Sequence, residues 1–262
     1  MTRQVLVFCA SGKFAGLVVP ALVARGVAVR GFARAGADAQ KARSNGATEI
    51  AIGDLGDRAS VERALEGVAR VFYLAPAFMP DEAEIGEAVV AACIAAAVKR
   101  FVFSSVIDPV LSRLSNHAAK APVEEAVLNS DLEYTFLHPT LFFQNYAGNW
   151  KKVVETGTLA EPWSCDTRFS RVDYRDVAEV AAIALTEDRL LYGTFELCAD
   201  GWLNRHEVAA LIGGGARSRH RGGEGRSRHA RRRHQADATD VRPVRSRRAA
   251  RQSAHAARDP RP

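Results

Sequence analysis

The sequence of 262 residues is poor in cysteine and contains no long apolar run. Its four cysteines, Cys9, Cys93, Cys165 and Cys198, lie far apart and form no Cys-x-x-Cys pair, so neither a metal site nor a disulfide framework is indicated. No stretch approaches the roughly 20 apolar residues that span a bilayer, and the first apolar run is too short for a signal peptide. We therefore expect free thiols, no membrane association and a cytoplasmic location.

Lysine is absent from residues 214–262, which contain 15 arginines and four acidic residues and so carry a formal charge of +11. The whole chain carries +6, so residues 1–213 carry −5 and offer no broad basic surface for nucleic acid. The only sizeable aliphatic residues after Gly213 are Val241 and Val244, which are too few to offset the entropy of ordering the segment. We therefore divide the chain into a domain of residues 1–213 and a disordered tail of residues 214–262.

The composition of this tail has two interpretations. A segment of Arg, Ala, Gly, Pro, Ser and His without lysine is what GC-rich coding DNA gives when it is read out of frame, which favours a frameshifted product. The alternative is a genuine Arg-rich arm that binds nucleic acid or a protein partner.

Before the tail, short β-rich runs alternate with longer amphipathic stretches, the pattern of parallel strands joined by crossover helices. The predicted strands are Gln4–Phe8, Ala28–Ala33, Thr48–Ile52, Arg70–Leu74, Arg100–Ser104, Glu133–His138 and Thr194–Cys198. The predicted helices are Phe14–Arg25, Ala37–Asn45, Arg58–Leu65, Pro80–Ala97, Lys120–Asn129, Ala147–Glu155, Tyr174–Thr186 and one beginning near Asn204. The strands are apolar throughout, so both sheet faces are covered and we predict a doubly wound α/β sheet. Its ligand crevice would lie beyond the carboxyl ends of the strands, where the strand order reverses.

The first predicted strand leads into the first helix through residues 7–16, Val-Phe-Cys-Ala-Ser-Gly-Lys-Phe-Ala-Gly. Backbone N–H groups at such a helix N-terminus bind a pyrophosphate. A Gly-x-x-Gly-x-x-Gly template would place glycine at positions 9, 12 and 15, and only Gly12 matches. An ordinary strand-to-helix turn is the alternative to a dinucleotide site here. The predicted cofactor contacts at this turn are Cys9, Ser11, Gly12, Lys13 and Phe14.

Arg34 follows the second strand, about twenty residues after the glycine turn, where an acidic residue would bind the ribose 2′-hydroxyl of NAD. A guanidinium there can hold a 2′-phosphate instead, so NADP is favoured over NAD, and Lys13 would add a second positive charge. A solvated loop arginine is the alternative. Asp54 and Leu55 after the third strand would flank the adenine, and Ala75 after the fourth would let the backbone approach a ribose or the nicotinamide.

Six segments in order resemble the NmrA-like branch of the atypical short-chain dehydrogenase/reductase superfamily, over about Gln4 to Ile212. They are the CASGKFAG turn in place of the family's GATGxxG, Gly53-Asp-Leu, Phe101-Val-Phe-Ser-Ser-Val, His117-Ala-Ala-Lys followed by Val123-Glu-Glu, the run from Leu132 to Asn145, and Val172-Asp-Tyr-Arg-Asp-Val-Ala. The resemblance implies a Rossmann domain that binds NAD(P) and carries a small, split substrate lobe. Because family members continue with more of that lobe, it would be incomplete here.

The resemblance implies a catalytic region that departs from the superfamily's Tyr-x-x-x-Lys pair, because Asn116 occupies the tyrosine position four residues before Lys120. An amide cannot donate a proton at neutral pH, which leaves Lys120 to bind the nicotinamide ribose or polarise a substrate. His117 is an alternative acid, and a surface or capping residue is the other interpretation of it. Ser105 lies where the superfamily keeps a catalytic serine, and the alternative is that it only satisfies the backbone of the strand. Near the cofactor, Pro139 follows His138, which replaces the family's arginine.

Phe142, Phe143 and Tyr146 form either the start of the substrate pocket or part of the core. The leading functional hypothesis is an NADP-dependent oxidoreductase that reduces a small molecule, a quinone or a small carbonyl compound. The alternative is a non-catalytic NADP sensor that signals redox state through a protein partner, and nucleic acid binding is expected only through the tail.

Overall fold

The computed structural model describes residues 4–76 and 78–220, with side chains described up to residue 213. Its strands are β1 (Val5–Val7), β2 (Val29–Ala33), β3 (Glu49–Ile52), β4 (Arg70–Tyr73), β5 (Arg100–Ser104), β6 (Glu133–Pro139), β7 (Leu141–Phe142), β8 (Arg171–Val172) and β9 (Gly193–Leu197). Its helices are α1 (Ala15–Val23), α2 (Ala37–Ser44), α3 (Arg58–Leu65), α4 (Glu82–Ala95), α5 (Ser115–Ala118), α6 (Ala121–Leu128), α7 (Asn145–Thr156), α8 (Tyr174–Thr186) and α9 (Arg205–His220).

Seven strands form one parallel sheet in the order β3-β2-β1-β4-β5-β6-β9. β1 pairs with β2 on one side and with β4 on the other, so the strand order reverses between β1 and β4. Crossover connections in such a sheet leave a crevice at the carboxyl ends of these two strands. The predicted doubly wound fold is confirmed, and the reversal places its crevice next to the residue 8–14 turn.

The sheet is covered on both faces because successive side chains of a strand point to opposite sides. In β1, Val5 and Val7 belong to an apolar cluster formed with helices α1 and α8, whereas Leu6 belongs to a second cluster with α3, α4 and α6. All three are fully buried. The continuous apolar run that predicted a doubly covered strand thus has apolar neighbours on each side.

Three short elements escaped the sequence pattern. Helix α5 has four residues, and β7 and β8 have two residues each and pair only with each other, Leu141 opposite Arg171. Elements this short have no periodicity to detect. They lie after the carboxyl ends of β5 and β6, so they belong to the side of the sheet that carries the crevice.

The last helix extends past the predicted domain boundary at Gly213. Helix α9 continues to His220 through three consecutive glycines, which have a low helix preference. The rest of the predicted disordered tail, residues 221–262, lies outside the described residues. Among the described residues, no helix is long and apolar enough to cross a membrane.

Candidate functional site

The turn between β1 and α1 forms a narrow backbone cradle. Cys9 has a φ of 54°, in the left-handed region that glycine adopts at lower cost, and its carbonyl accepts a 2.7 Å hydrogen bond from the Gly12 N–H. A Cβ at Gly12 would lie 3.0 Å from that oxygen, so Gly12 keeps the cradle open. No side chain caps the N-terminus of α1. The Gly16 and Leu17 N–H groups already donate to the Gly12 and Phe14 carbonyls, so an anion would bind the N–H groups that precede them at the turn.

Side chains at the turn divide into those that face solvent and those that pack inward. Lys13 is exposed and Ser11 is half-buried. The Phe14 ring is buried and lies 5.5 Å from the Tyr174 ring and 5.6 Å from the Phe142 ring, measured between centroids. A ligand at the turn would therefore meet Phe14 through its N–H group. Burial raises the pKa of the Cys9 thiol to about 11, which keeps it protonated at neutral pH.

Arg34 stands at the end of β2 with its side chain 75% exposed. Its Nε donates to Asp38 Oδ2 at 3.0 Å, across one turn at the start of α2. This pair uses the Nε–H group of the guanidinium and leaves the donors of its two terminal nitrogens for a second partner. Arg34 is therefore placed to bind a phosphate through its two terminal nitrogens while the Asp38 carboxylate accepts from its Nε.

The carboxylate and the backbone N–H of Asp54 both form hydrogen bonds within the turn that follows β3. Its Oδ1 accepts from the Gly56 N–H at 2.9 Å, and its N–H donates to Ser60 Oγ at 3.1 Å. Leu55 lines a surface groove between α3 and α4. Ala75, directly after β4, is buried. Of the three predicted contacts, Ala75 follows a strand that borders the crevice, whereas Asp54 and Leu55 follow β3, at the end of the sheet order.

Lys120, at the start of α6, forms an ion pair with Glu82 of α4. Both side chains are almost fully buried. Burial lowers the pKa of Lys120 to about 8, and an ionised Glu82 acts in the opposite direction by favouring the charged ammonium. An ammonium has three donors, so Glu82 leaves donors of Lys120 for a second partner.

Ser105 belongs to a second buried cluster. Its Oγ donates to Glu124 Oε1 at 2.5 Å, and His138 Nε2 lies 2.8 Å from the same oxygen. The Pro139 carbonyl, one residue after His138, accepts from the Ile107 N–H at 3.3 Å. The cluster thus joins α6 to the carboxyl ends of β5 and β6.

The predicted alternative acid lies apart from this cluster. His117 Nδ1 lies 3.1 Å from the Asp108 carbonyl oxygen, which fixes the ring to the loop after β5. Asn116, which the resemblance predicts to occupy the tyrosine position, has a buried Oδ1 with no hydrogen-bond partner among the described residues. In the aromatic group, Phe142 packs against the core and Phe143 is exposed, so the two residues have different environments.

Two residues of the site, Glu82 and Glu124, were missed from the sequence. Glu124 follows Lys120 by four residues, so helical spacing alone would have placed the two on one face of α6. Glu82 is 38 residues from Lys120 and offered no local signal. The fold brings them together because α4 and α6 pack on the same face of the sheet.

Comparison with known proteins identifies the family of this chain. The model of the NmrA-like family matches residues 1–219. The chain belongs to the NmrA-like family. An NAD(P)H azoreductase from Xenophilus azovorans is 28% identical over 222 residues, which cover 81% of this chain and 74% of that protein. Two further relatives are matched over about half of their own length, 48% and 51%.

Solved structures of two other reductases share the fold. A Citrobacter sp. triphenylmethane reductase in complex with NADP(H) superposes with a TM-score of 0.71 and 22% identity, covering 80% of this chain and 75% of that one. An NADPH-dependent quinone oxidoreductase from Escherichia coli gives 0.73 and 22%, covering 81% and 75%. At this identity the likeness establishes the Rossmann fold of this NmrA-like chain.

Proposed function

We propose that this NmrA-like protein binds NADPH in the crevice between β1 and β4 and reduces a quinone or a small carbonyl compound. The observation that carries the proposal is the placement of an uncapped helix N-terminus and a buried Ser105–Glu124–His138 cluster on the same edge of one sheet. The first feature binds a diphosphate, and the second can move protons. The NADP(H)-bound and NADPH-dependent reductase structures support the choice of cofactor.

The residues present fit a dinucleotide. The Gly12 cradle is a space that a Cβ would fill, and the N–H groups that precede Gly16 at the turn supply donors for a pyrophosphate. Arg34 would hold a 2′-phosphate with its terminal nitrogens. Lys120 would donate to the nicotinamide ribose with the hydrogens that Glu82 leaves free. When bound, NADPH supplies a hydride.

The protein's own contribution to chemistry is placement and proton supply. The Ser105 hydroxyl, which donates to Glu124 in this structure, would turn to donate a hydrogen bond to the substrate oxygen, which gains negative charge as hydride arrives at its carbon. Lys120 adds positive charge on the same edge of the sheet. The buried proton-transfer cluster favours a reductase over a silent redox sensor, because a sensor needs only the cofactor site. We also propose a small-molecule substrate and a reducing cytoplasm, the latter from the free thiols.

The test combines binding with turnover. Calorimetry should show one NADPH site, and NADPH should be consumed when menadione or benzaldehyde is added. Gly12→Val should weaken NADPH binding at least about tenfold, because its side chain fills the pyrophosphate cradle. Gly148→Ala is the matched control, because a Cβ at Gly148 meets nothing within 4 Å. NADPH binding without turnover of any acceptor would favour the sensor, and no binding would refute both.

A further inference from the structure

The Ser105–Glu124–His138 cluster is a continuous chain of hydrogen bonds through one carboxylate oxygen. Glu124 Oε1 accepts from the Ser105 hydroxyl at 2.5 Å and from His138 Nε2 at 2.8 Å. The Ser105 and His138 residues are 5% and 7% exposed. Hydrogen bonds to charged groups are strong when buried, and short distances favour transfer of the proton.

The resemblance predicts that the position of the superfamily's proton donor is occupied by Asn116, which has no acidic proton to give at neutral pH. A serine hydroxyl is itself a poor acid, so a serine that gives up a proton needs a group that returns one. We propose that Glu124 and His138 form a proton relay that resupplies the Ser105 hydroxyl during carbonyl reduction. This inference rests on the proposed reductase function and names the source of its proton.

The atoms and electrons of this relay balance over the reduction of one carbonyl group. The carbonyl carbon receives a hydride from bound NADPH, the π electrons move to the oxygen, and the oxygen takes the Ser105 proton. To give that proton, the Ser105 hydroxyl turns from Glu124 Oε1 to the substrate oxygen. Glu124 Oε1 then takes a proton from His138 Nε2 and passes it to Ser105 Oγ. The products are an alcohol, NADP⁺, an unchanged serine and carboxylate, and a neutral imidazole, which regains its proton from water. Ser105 touches the substrate and is catalytic, whereas Glu124 and His138 act through it.

Several charged groups lie on the elements that pack near His138. On the elements packed near it, Lys120 lies one turn before Glu124 on α6 and is paired with Glu82 of α4. Glu125 of α6 and Glu196, the register partner of His138 on β9, are both exposed. His117 contacts the loop after β5 instead. Among these groups, Glu124 is the carboxylate in direct contact with the imidazole, at 2.8 Å.

The kinetic test uses the full chain with NADPH and two acceptors. Glu124→Gln and His138→Gln should lower kcat for benzaldehyde about tenfold to a hundredfold, because an alkoxide must be protonated as it forms. They should lower kcat for menadione much less, since a hydroquinone is a stronger acid than an alcohol. The matched controls are Glu125→Gln, an exposed neighbour in the same helix, and His206→Gln, an exposed histidine. Both controls should behave as the unmodified protein.

A second readout does not depend on turnover. Proton-detected NMR of the histidine side chains should show the titration of His138 displaced in Glu124→Gln and in Ser105→Ala, and unchanged in Glu125→Gln. Ser105→Thr keeps the hydroxyl and should restore both the titration and the pH profile of kcat. These readouts separate a relay from a purely structural contact, which would change thermal stability without moving the titration.

The outcomes distinguish the relay from the function on which it rests. Turnover in the unmodified protein, with Glu124→Gln matching Glu125→Gln for both acceptors, would overturn the relay and leave the reductase intact. A His138 titration that is the same in Glu124→Gln and Glu125→Gln would also overturn it. If NADPH binds but the unmodified protein reduces neither acceptor, the reductase proposal fails and the relay fails with it.

Discussion

The ion pair between Lys120 and Glu82 is the most costly single contact of the site, because its side chains are only 4% and 3% exposed. Removing two charges from water costs several kcal/mol per ion, and their attraction offsets this only in good geometry. Replacing one partner leaves the other charge buried and uncompensated. The effects of Lys120 on stability and on cofactor binding can therefore be measured separately only in a variant in which Lys120 and Glu82 are both replaced.

Lys120→Ala should lower the free energy of unfolding by about 3 kcal/mol, because it leaves Glu82 buried without a counterion. Lys120→Met combined with Glu82→Met should recover most of that stability, since both sites become apolar. If Lys120 holds the nicotinamide ribose, the double variant should still bind NADPH more weakly than the unmodified protein. Urea unfolding and calorimetry measure the two quantities. Unchanged NADPH affinity in the double variant would make Lys120 a structural residue only.

Arg34 decides the choice between cofactors at the residue scale. Arg34→Asp should weaken NADPH binding about ten- to a hundredfold, which corresponds to a charge-assisted contact of roughly 1.5–3 kcal/mol. NADH binding should be kept or improved, because a carboxylate there can accept from the ribose 2′-hydroxyl. Arg43→Asp is the control, an equal charge change on the exposed side of α2. Equal affinity of the unmodified protein for NADPH and NADH would contradict this role.

At the scale of elements, helix α8 is fixed by its N-terminal residue. Asp173 accepts from the Arg175 N–H at 2.8 Å, and its carboxylate also pairs with the Arg175 side chain. These contacts lower the pKa of Asp173 to about 2. Helix α8 packs under β4, β5 and β6, and its Tyr174 contacts Phe14 at the cofactor turn. The cap therefore supports the site indirectly.

Asp173→Asn should lower the free energy of unfolding at neutral pH by about 1–2 kcal/mol, because the folded state holds the charged carboxylate. The pKa is lower in the folded state, so this contribution is complete above pH 4 and is lost as the pH falls towards 2. The variant should accordingly lose less stability across that interval than the unmodified protein. Asp176→Asn is the control, since burial raises the pKa of Asp176. If the free energy of unfolding fell equally with pH in Asp173→Asn and in the unmodified protein, the stabilising role of the Asp173 carboxylate would be contradicted.

Elements with a local signal were predictable, and contacts between distant elements were not. The seven sheet strands followed from apolar runs, and the crevice followed from the connectivity of such a sheet. The inward packing of the Phe14 ring depends on β7 and α8, which lie more than a hundred residues away. The Glu82–Lys120 pair likewise exists only once α4 and α6 are packed. Local periodicity carries no information about such pairs.

At the scale of the whole molecule, the residues that the proposed function needs all lie at the carboxyl ends of the sheet strands. The β1–α1 turn, the end of β4, Ser105 after β5 and His138 in β6 follow adjacent strands of the sheet. The opposite ends of the strands carry none of the predicted site residues. The order of these strands therefore places a cofactor turn and a proton-transfer cluster side by side.

The composition of residues 221–262 predicts that this segment is dispensable for the domain. A chain ending after His220 should keep its melting temperature and its NADPH affinity, because Val241 and Val244 are the only sizeable aliphatic residues removed. Calorimetry of both chains measures the two quantities. A lower melting temperature in the shortened chain would show that the segment is part of the folded domain.

The central claim is that this chain transfers a hydride from NADPH to a carbonyl carbon. The most direct measurement uses NADPH deuterated at the carbon that donates the hydride, with benzaldehyde as acceptor and mass spectrometry of the product. We predict benzyl alcohol that carries one deuterium on carbon, formed at a lower rate by Glu124→Gln than by Glu125→Gln. Saturable binding of NADPH with no deuterium in any product would contradict the account.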